Sequence, residues 1–376
     1  MTAIPLLLSA GEASGDMYAA RLAKALRERI DVEIFGMGGD EMRAAGVDVI
    51  TDYREVSVVG ITEILSHLPL LVRAMRRLVA AAKARKPQLA ILTDFPGFHL
   101  RLARKVLPLG VRNVYYVCPQ FWAWRPWRAN LVRRRFEQAL CIFPFEEQFF
   151  RERGVNAKFI GHPLVGMVKR SQSRAEFTTK HKLAAENAIV ALLPGSRWAE
   201  IARHLPVMIE ACREVKRASS RQLNFVLAVA PGIDVARLNS LLPSRERPTI
   251  VQGETYDALA AADGALVCSG TATVEAALLD TPMVVVYRVT PITALLAKPL
   301  VRTEFFGMVN LIAERVVVPE LIQEDFTASR AAAELRRLLD PAVAGDIRSD
   351  LAEVRKRLGP PGAVERAADA IAELLR

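Results

Sequence analysis

Four cysteines in 376 residues, Cys118, Cys141, Cys212 and Cys268, are too few and too widely spaced to staple a fold, and no CxxC or Cys/His pairing suits zinc. They read as buried free thiols of a reducing compartment. No apolar run approaches the roughly eighteen residues of a spanning helix, and the N-terminus lacks the basic n-region of a signal peptide. A cytoplasmic protein is expected. GxGxxG is absent, and so is the Walker lysine, which argues against a nucleoside triphosphatase. Acid is scarce in one place: residues 64–136 hold fifteen Lys/Arg and a single carboxylate, Asp94.

What is present is a soluble globular balance, 51% hydrophobic and 24% charged, with a net charge of +10. Residues 1–165 carry 24 Lys/Arg against 16 Asp/Glu, so the positive field belongs to the first half. Such a field attracts nucleic acid, anionic lipid or a phosphorylated substrate, and composition alone does not choose among them. Short apolar runs at 4–10, 32–38, 88–95, 113–119, 138–145 and 157–162 alternate with helical or turn-rich sequence. The rhythm restarts at 188–195, 224–231, 248–252, 264–270 and 282–288. This predicts an α/β protein with two Rossmann-like, doubly wound domains facing a cleft. The first covers 1–168, and a polar linker, 169–187, follows it. The second covers 188–345, followed by C-terminal helices over 346–376, the last of which, about 360–376, packs back on the first domain.

Candidate chemistry falls at strand ends. "LLLSAGEASGD" (6–16) reads as strand, loop and helix; Glu12 and Asp16 make a phosphate cradle doubtful there, and Gly11 and Gly15 allow a tight turn. Asp94 closes the strand "QLAILTDF". As the lone acid in a basic stretch it should stay ionised and could act as a general base or as a helix N-cap. His99 and His162 fit either packing or function. In "LLPGSRWAEIARHL", Gly195, Ser196 and Arg197 offer amides, a helix start and a guanidinium to a diphosphate, with little competing charge. In "LVCSGTATVEAALL", Ser269, Gly270, Thr271 and Thr273 precede Glu275, a carboxylate suited to the vicinal hydroxyls of a ribose. "ILSHLPLLVRAMRRLVAAAKARK" (64–86) spaces Leu65, Leu68, Val72, Met75 and Val79 on one helical face among arginines. "PQFWAWRPWR" (119–128) adds three Trp and two Arg, suited to a headgroup region or to stacking on bases.

Taken in order, "GEASGD", "TDFPGF", "YVCPQFWAWR", "FPFEEQFF", "FIGHPL", "LLPGSR", "SGTATVEAAL", "MVVVYRVTP" and "NLIAERVVVPELIQED" resemble the lipid-A-disaccharide synthases, glycosyltransferase family 19, over essentially the whole chain. The resemblance implies the GT-B architecture and an inverting transfer needing neither metal nor cofactor. UDP-2,3-diacylglucosamine and 2,3-diacylglucosamine 1-phosphate would give UDP and a β-1,6-linked disaccharide. It also implies an enzyme held peripherally on the anionic inner face of the inner membrane, with no nucleic-acid partner, and leaves monomer and helix-exchanging homodimer open. By the same resemblance Asp94 matches the proposed general base, Arg197 the arginine near the donor diphosphate, Glu275 the ribose ligand, and Asn310 and Gln323 polar residues around the nucleotide. Glu12 matches a carboxylate needed for activity. Where many members read "DAPDFN" this chain has "DFPGFH", with Gly97 and His99, and Trp198 replaces a small residue. The runner-up is another UDP-sugar enzyme of the same architecture, such as a UDP-N-acetylglucosamine 2-epimerase. A single acid at Asp94 and a basic amphipathic stretch speak against it.

Overall fold

A computed structural model describes residues 3–56, 63–219, 221–230, 232–291, 293–294 and 303–376. The chain forms two compact units, Met1–Pro163 with Leu358–Arg376, and Leu164–Arg357. The first unit is built on parallel strands β1 (Ile4–Ala10), β2 (Val32–Gly38), β3 (Asp48–Asp52), β4 (Leu89–Thr93), β5 (Arg112–Tyr116), β6 (Gln138–Cys141) and β7 (Ala157–Phe159), in the order β3-β2-β1-β4-β5-β6-β7. In the second, β8 (Ala188–Leu193), β9 (Leu223–Val229), β10 (Thr249–Gln252), β11 (Gly264–Cys268), β12 (Met283–Tyr287) and β13 (Glu320–Ile322) lie in the order β10-β9-β8-β11-β12-β13. Central strands such as β4 and β11 are buried along their whole length, as expected of sheets covered by helices on both faces.

Both sheets reverse their winding direction next to their first strand. Chain order runs outward from β1 to β3, then returns to β4 on the other side of β1; likewise from β8 to β10, then to β11. Loops after the two central strands of such a sheet diverge and leave a crevice at their carboxyl ends. β1 and β4 end level, with Ala10 opposite Thr93, and β8 and β11 pair through Leu193 and Val267. Glu12 and Asp94 therefore follow one switch point, and Gly195–Arg197 and Ser269–Thr271 the other.

Several expectations change. β3 and β13 were not read from the sequence: "DVITD" and "ELI" are short edge strands without an apolar run. The polar stretch 169–187 is not a free linker. It holds a helix, Arg174–Lys180, capped by Ser173, and the Asp257 carboxylate accepts from the Ser171 and Gln172 amides. The penultimate helix starts at Pro341, before residue 346, and ends at Arg357; the last, Ala363–Leu375, packs on Ala13–Arg27 within the first unit. In "SAGEASGD" only Gly11 and Glu12 are loop, because the helix begins at Ala13. Gly15 is helical and has ordinary space for a Cβ, whereas a Cβ on Gly11 would lie 2.2 Å from Phe95 Cγ. Buried Asp16 caps neither its own helix nor its own loop. Its carboxylate accepts from the Gly39 amide at 2.6 Å and the Glu41 amide at 3.1 Å, at the start of helix Asp40–Ala44.

Helix Glu63–Arg85 changes character along its length. Ala74, Met75, Leu78 and Ala82 enter the core, whereas Leu68, Leu70 and Val72 are 52%, 38% and 41% exposed. The expected apolar face thus divides between core and solvent; the Leu65 side chain lies outside the described residues. No helix among the described residues is long and apolar enough to cross a membrane. All four cysteines are buried and unbridged.

Candidate active-site residues in two switch-point crevices

Asp94 is held in an uncommon backbone state. Its φ is +48° and that of Phe95 is +45°, left-handed values that cost a non-glycine residue of order 1 kcal/mol or more. The carbonyl of Asp94 accepts two hydrogen bonds, from Nδ1 of His99 at 2.8 Å and from the Tyr115 hydroxyl at 2.9 Å. Fully buried His99 has its pKa driven down to about 4 by burial, so it is neutral at pH 7. With Nδ1–H committed to a carbonyl, Nε2 is the acceptor, and the Ser9 hydroxyl donates to it at 2.8 Å. His99 is thus neither a free ligand nor plain packing; it fixes the backbone of Asp94. His162 is buried between Phe143 and Tyr18, and burial lowers its pKa to about 3.

The Asp94 carboxyl is not the steadily ionised group its basic sequence context suggests. Burial first, then the charge of Glu12, raises its pKa to about 7. The arginines that surround it in sequence do not figure among the groups acting on it. Nor is it a lone acid. Glu146, in "FPFEE", is fully buried, and burial drives its pKa to about 8 although Trp122 Nε1 and the Ile142 and Phe143 amides donate to it at 3.2 to 3.3 Å. Asp94 is among the charges acting on it. Glu146 lies in the motif "FPFEEQFF", but its burial was not legible in the sequence. Counting acids therefore no longer speaks against an epimerase.

In the second unit, helix Trp198–Ala218 starts at the GSR corner, and its anion-binding groups already have an occupant. Oε2 of Glu200 accepts from the Ser196 amide at 3.2 Å and the Arg197 amide at 3.3 Å, while Oε1 meets Arg197 Nε at 3.2 Å. The expectation of little competing charge is corrected: a carboxylate three residues into the sequence after Arg197 folds back on the corner. Gly195, at φ +129°, is required by the same contact, since a Cβ would lie 2.7 Å from Glu200 Cβ. The pairing engages Nε of Arg197, whose side chain is 55% exposed. Trp198 lies beneath the Arg237 guanidinium, 3.9 Å from the ring centroid. Sequence reasoning missed His204: buried and neutral by burial, it bonds the Pro194 carbonyl at 2.7 Å and accepts from the Arg288 amide at 2.9 Å, tying the ends of β8 and β12 together.

At the second corner, Ser269 donates to the Phe306 carbonyl at 2.7 Å and Thr273 to that of Gly270 at 2.8 Å, so both hydroxyls are engaged locally. Gly270, at φ +142°, faces open space, and Thr271 is exposed at the start of helix Thr271–Leu278. Glu275 sits in the second turn of that helix; burial raises its pKa, opposed by the Tyr256 hydroxyl at 3.4 Å. Asn310 is corrected more strongly. Its Oδ1 accepts from the Val317 and Val318 amides, and Nδ2 donates to the Val318 carbonyl and to Glu320, all within 3.0 Å and fully buried. No group remains for a nucleotide, so Asn310 shapes the segment leading to β13. Gln323 is half-buried at φ +55°, its Oε1 accepting from the Val289 amide at 3.2 Å. Among the described residues no three His, Cys, Asp or Glu side chains gather as metal ligands.

Two parallel sheets, each with its candidate residues at the switch point, define a protein of two Rossmann-like units, the GT-B architecture. Solved structures agree: a putative UDP-N-acetylglucosamine 2-epimerase from Listeria monocytogenes superposes with a TM-score of 0.68 at 13% identity, covering 100% of this chain and 97% of that one. The calicheamicin glycosyltransferase gives 0.60 at 17%, covering 100% and 99%. The chain belongs to the lipid-A-disaccharide synthetase family, whose sequence model matches residues 6–372. The lipid-A-disaccharide synthase of Solibacter usitatus is 47% identical over 373 residues, 98% of this chain and 97% of that protein.

Proposed function

We propose that this glycosyltransferase joins UDP-2,3-diacylglucosamine to 2,3-diacylglucosamine 1-phosphate, forming the β-1,6-linked lipid A disaccharide 1-phosphate with inversion and releasing UDP. The observation that carries the reading is that the motif residues of a chain in this family fall at both switch points. That membership, rather than the number of acids, disfavours the epimerase alternative. Asp94 takes the proton of the acceptor 6-hydroxyl as that oxygen attacks the anomeric carbon; a carboxyl with a pKa near 7 suits a base working near neutrality. Arg197 and the amides of Gly195–Arg197 neutralise the departing diphosphate once it displaces or shares Glu200. Glu275 receives the ribose hydroxyls, and Gly270, Thr271, Ser269 and Gln323 line the nucleotide. Glu12 tunes the base.

The exposed Leu68, Leu70 and Val72 beside Arg73 and Arg76, with Trp127 59% exposed, support contact of the first unit with an anionic bilayer on the cytoplasmic side. The test is incubation with the two diacylglucosamine substrates in detergent, following UDP and disaccharide, with a non-acylated UDP-sugar as control. Asp94→Asn is expected to abolish transfer and retain UDP binding; Arg197→Ala is expected to weaken donor binding about tenfold to a hundredfold. Full turnover by the first variant, or unchanged donor affinity in the second, refutes the corresponding role.

A further inference from the structure

The arginines of the first unit that the proposed chemistry leaves unused are not spread evenly. Arg128, in the turn Pro126–Arg128 after β5, lies 5.9 Å from the Phe121 ring centroid and 5.5 Å from that of Trp127. Its Nε is shielded from solvent and has no hydrogen-bond partner. The Arg128 amide donates to the Arg125 carbonyl at 2.9 Å, and the helix that follows, Ala129–Arg135, is tied beside Arg101 by Arg135 Nη1, which donates to the Leu100 carbonyl at 2.8 Å; burial, then the charges of Arg125 and Arg101, pull the Arg128 pKa below the ordinary value. Arg101 folds back along helix Pro96–Val106 to donate to the Gly97 carbonyl, close to where that helix starts. Among the described residues, neither Arg101 nor Arg128 forms an ion pair with a carboxylate. Gathering like charges around a buried, unsatisfied donor costs free energy that an anion would recover.

The cluster adjoins the candidate base. The Tyr115 hydroxyl that donates to the Asp94 carbonyl also lies within the field of Arg128, and Arg101 stands on the helix that begins two residues after Asp94. A sugar 1-phosphate carries its anion and its 6-hydroxyl at opposite ends of one ring, so one acceptor can reach both groups. Forked guanidinium donors match the several oxygens of a phosphomonoester better than a point charge does.

We propose that Arg101, Arg125 and Arg128 form the site for the acceptor's phosphomonoester, holding the sugar so that its far hydroxyl meets Asp94. This rests on the transfer reaction proposed above. The test compares phosphorylated and unphosphorylated 2,3-diacylglucosamine as acceptors, with wild type, Arg128→Gln and Arg101→Gln, in neutral micelles and in micelles containing anionic phospholipid. The ratio of kcat/KM for the phosphorylated over the unphosphorylated acceptor is expected to fall about tenfold to a hundredfold in Arg128→Gln, and in the same direction in solvent-exposed Arg101→Gln, with the donor KM unchanged. A ratio equal to wild type in both variants overturns the proposal. So does a loss seen only with anionic phospholipid, which assigns the cluster to bilayer headgroups. If wild type transfers to neither acceptor, the reaction itself is wrong, and binding of the phosphorylated acceptor to the three proteins decides the site: equal affinities overturn it.

Discussion

Replacing Glu12 by Gln tests how the candidate base is tuned. Asp94 has a pKa of about 7, raised mainly by burial and secondarily by Glu12. A protonated carboxyl cannot accept the hydroxyl proton, so activity is lost as pH falls through about 7. Removing one like charge near the surface returns roughly 1 kcal/mol. With 1.36 kcal/mol per pH unit, the acidic limb moves down by about 0.5 to 1 unit, while burial keeps it above the ordinary aspartate value. At pH 6 the ionised fraction rises from about 10% to about 25–50%, a threefold to fivefold gain relative to each enzyme's own plateau at higher pH. The assay is kcat/KM for UDP release between pH 5 and 9, normalised to that plateau so that any separate loss from Glu12 cancels. A limb that stays put refutes the coupling of Glu12 to the base; a limb moving upward refutes the sign of the argument.

Gly11→Ala forces a Cβ against Phe95, beside the left-handed Asp94, and is expected to cost about 1–3 kcal/mol in urea denaturation with a fall in kcat. Asn310→Ala leaves the Val317 and Val318 amides without their acceptor, costing about 2–4 kcal/mol; a loss of UDP affinity with unchanged stability would contradict the bracing role. His99→Phe removes the buried donor to Asp94, and kcat is expected to fall, whereas His99→Asn, which keeps a short amide donor, recovers most of it; equal kcat in both variants argues against the clamp. Carboxyls with raised pKa values favour the folded state below their ordinary pKa, and that contribution is lost as pH rises through about 7 for Asp94 and about 8 for Glu146. The urea midpoint is therefore expected to decline between pH 5 and 8, less so in Glu146→Gln.

Legibility followed the physics of each feature. Strands β1, β4, β8 and β11 are buried on both faces and so read as bare apolar runs, and their ends announced Glu12, Asp94, the GSR corner and the SGT corner. β3 and β13 sit at sheet edges, where alternating or polar residues suffice, and left no such trace. Glu200 was in plain view three residues after Arg197, but nothing in the sequence says whether such a carboxylate faces solvent or folds back on two amides. Asn310 shows the converse: a residue type suited to ligands spends every donor and acceptor inside the protein. His204 joins the end of β8, ten residues before it, to the end of β12, 84 residues after it, a pairing no local pattern contains.

By itself the sequence determined the parallel α/β architecture, the repetition of that unit, the uneven distribution of charge and the residues that close the central strands, because burial and turn chemistry leave marks a few residues long. Tertiary structure alone decided the protonation and company of those residues. The pKa of Asp94 is set by burial and by Glu12, 82 residues earlier in the chain, its backbone by His99 and Tyr115, and the gathering of Arg101, Arg125 and Arg128 by the packing of two successive crossovers. Electrostatic free energy depends on distance and solvent exposure, and neither is a property of sequence order.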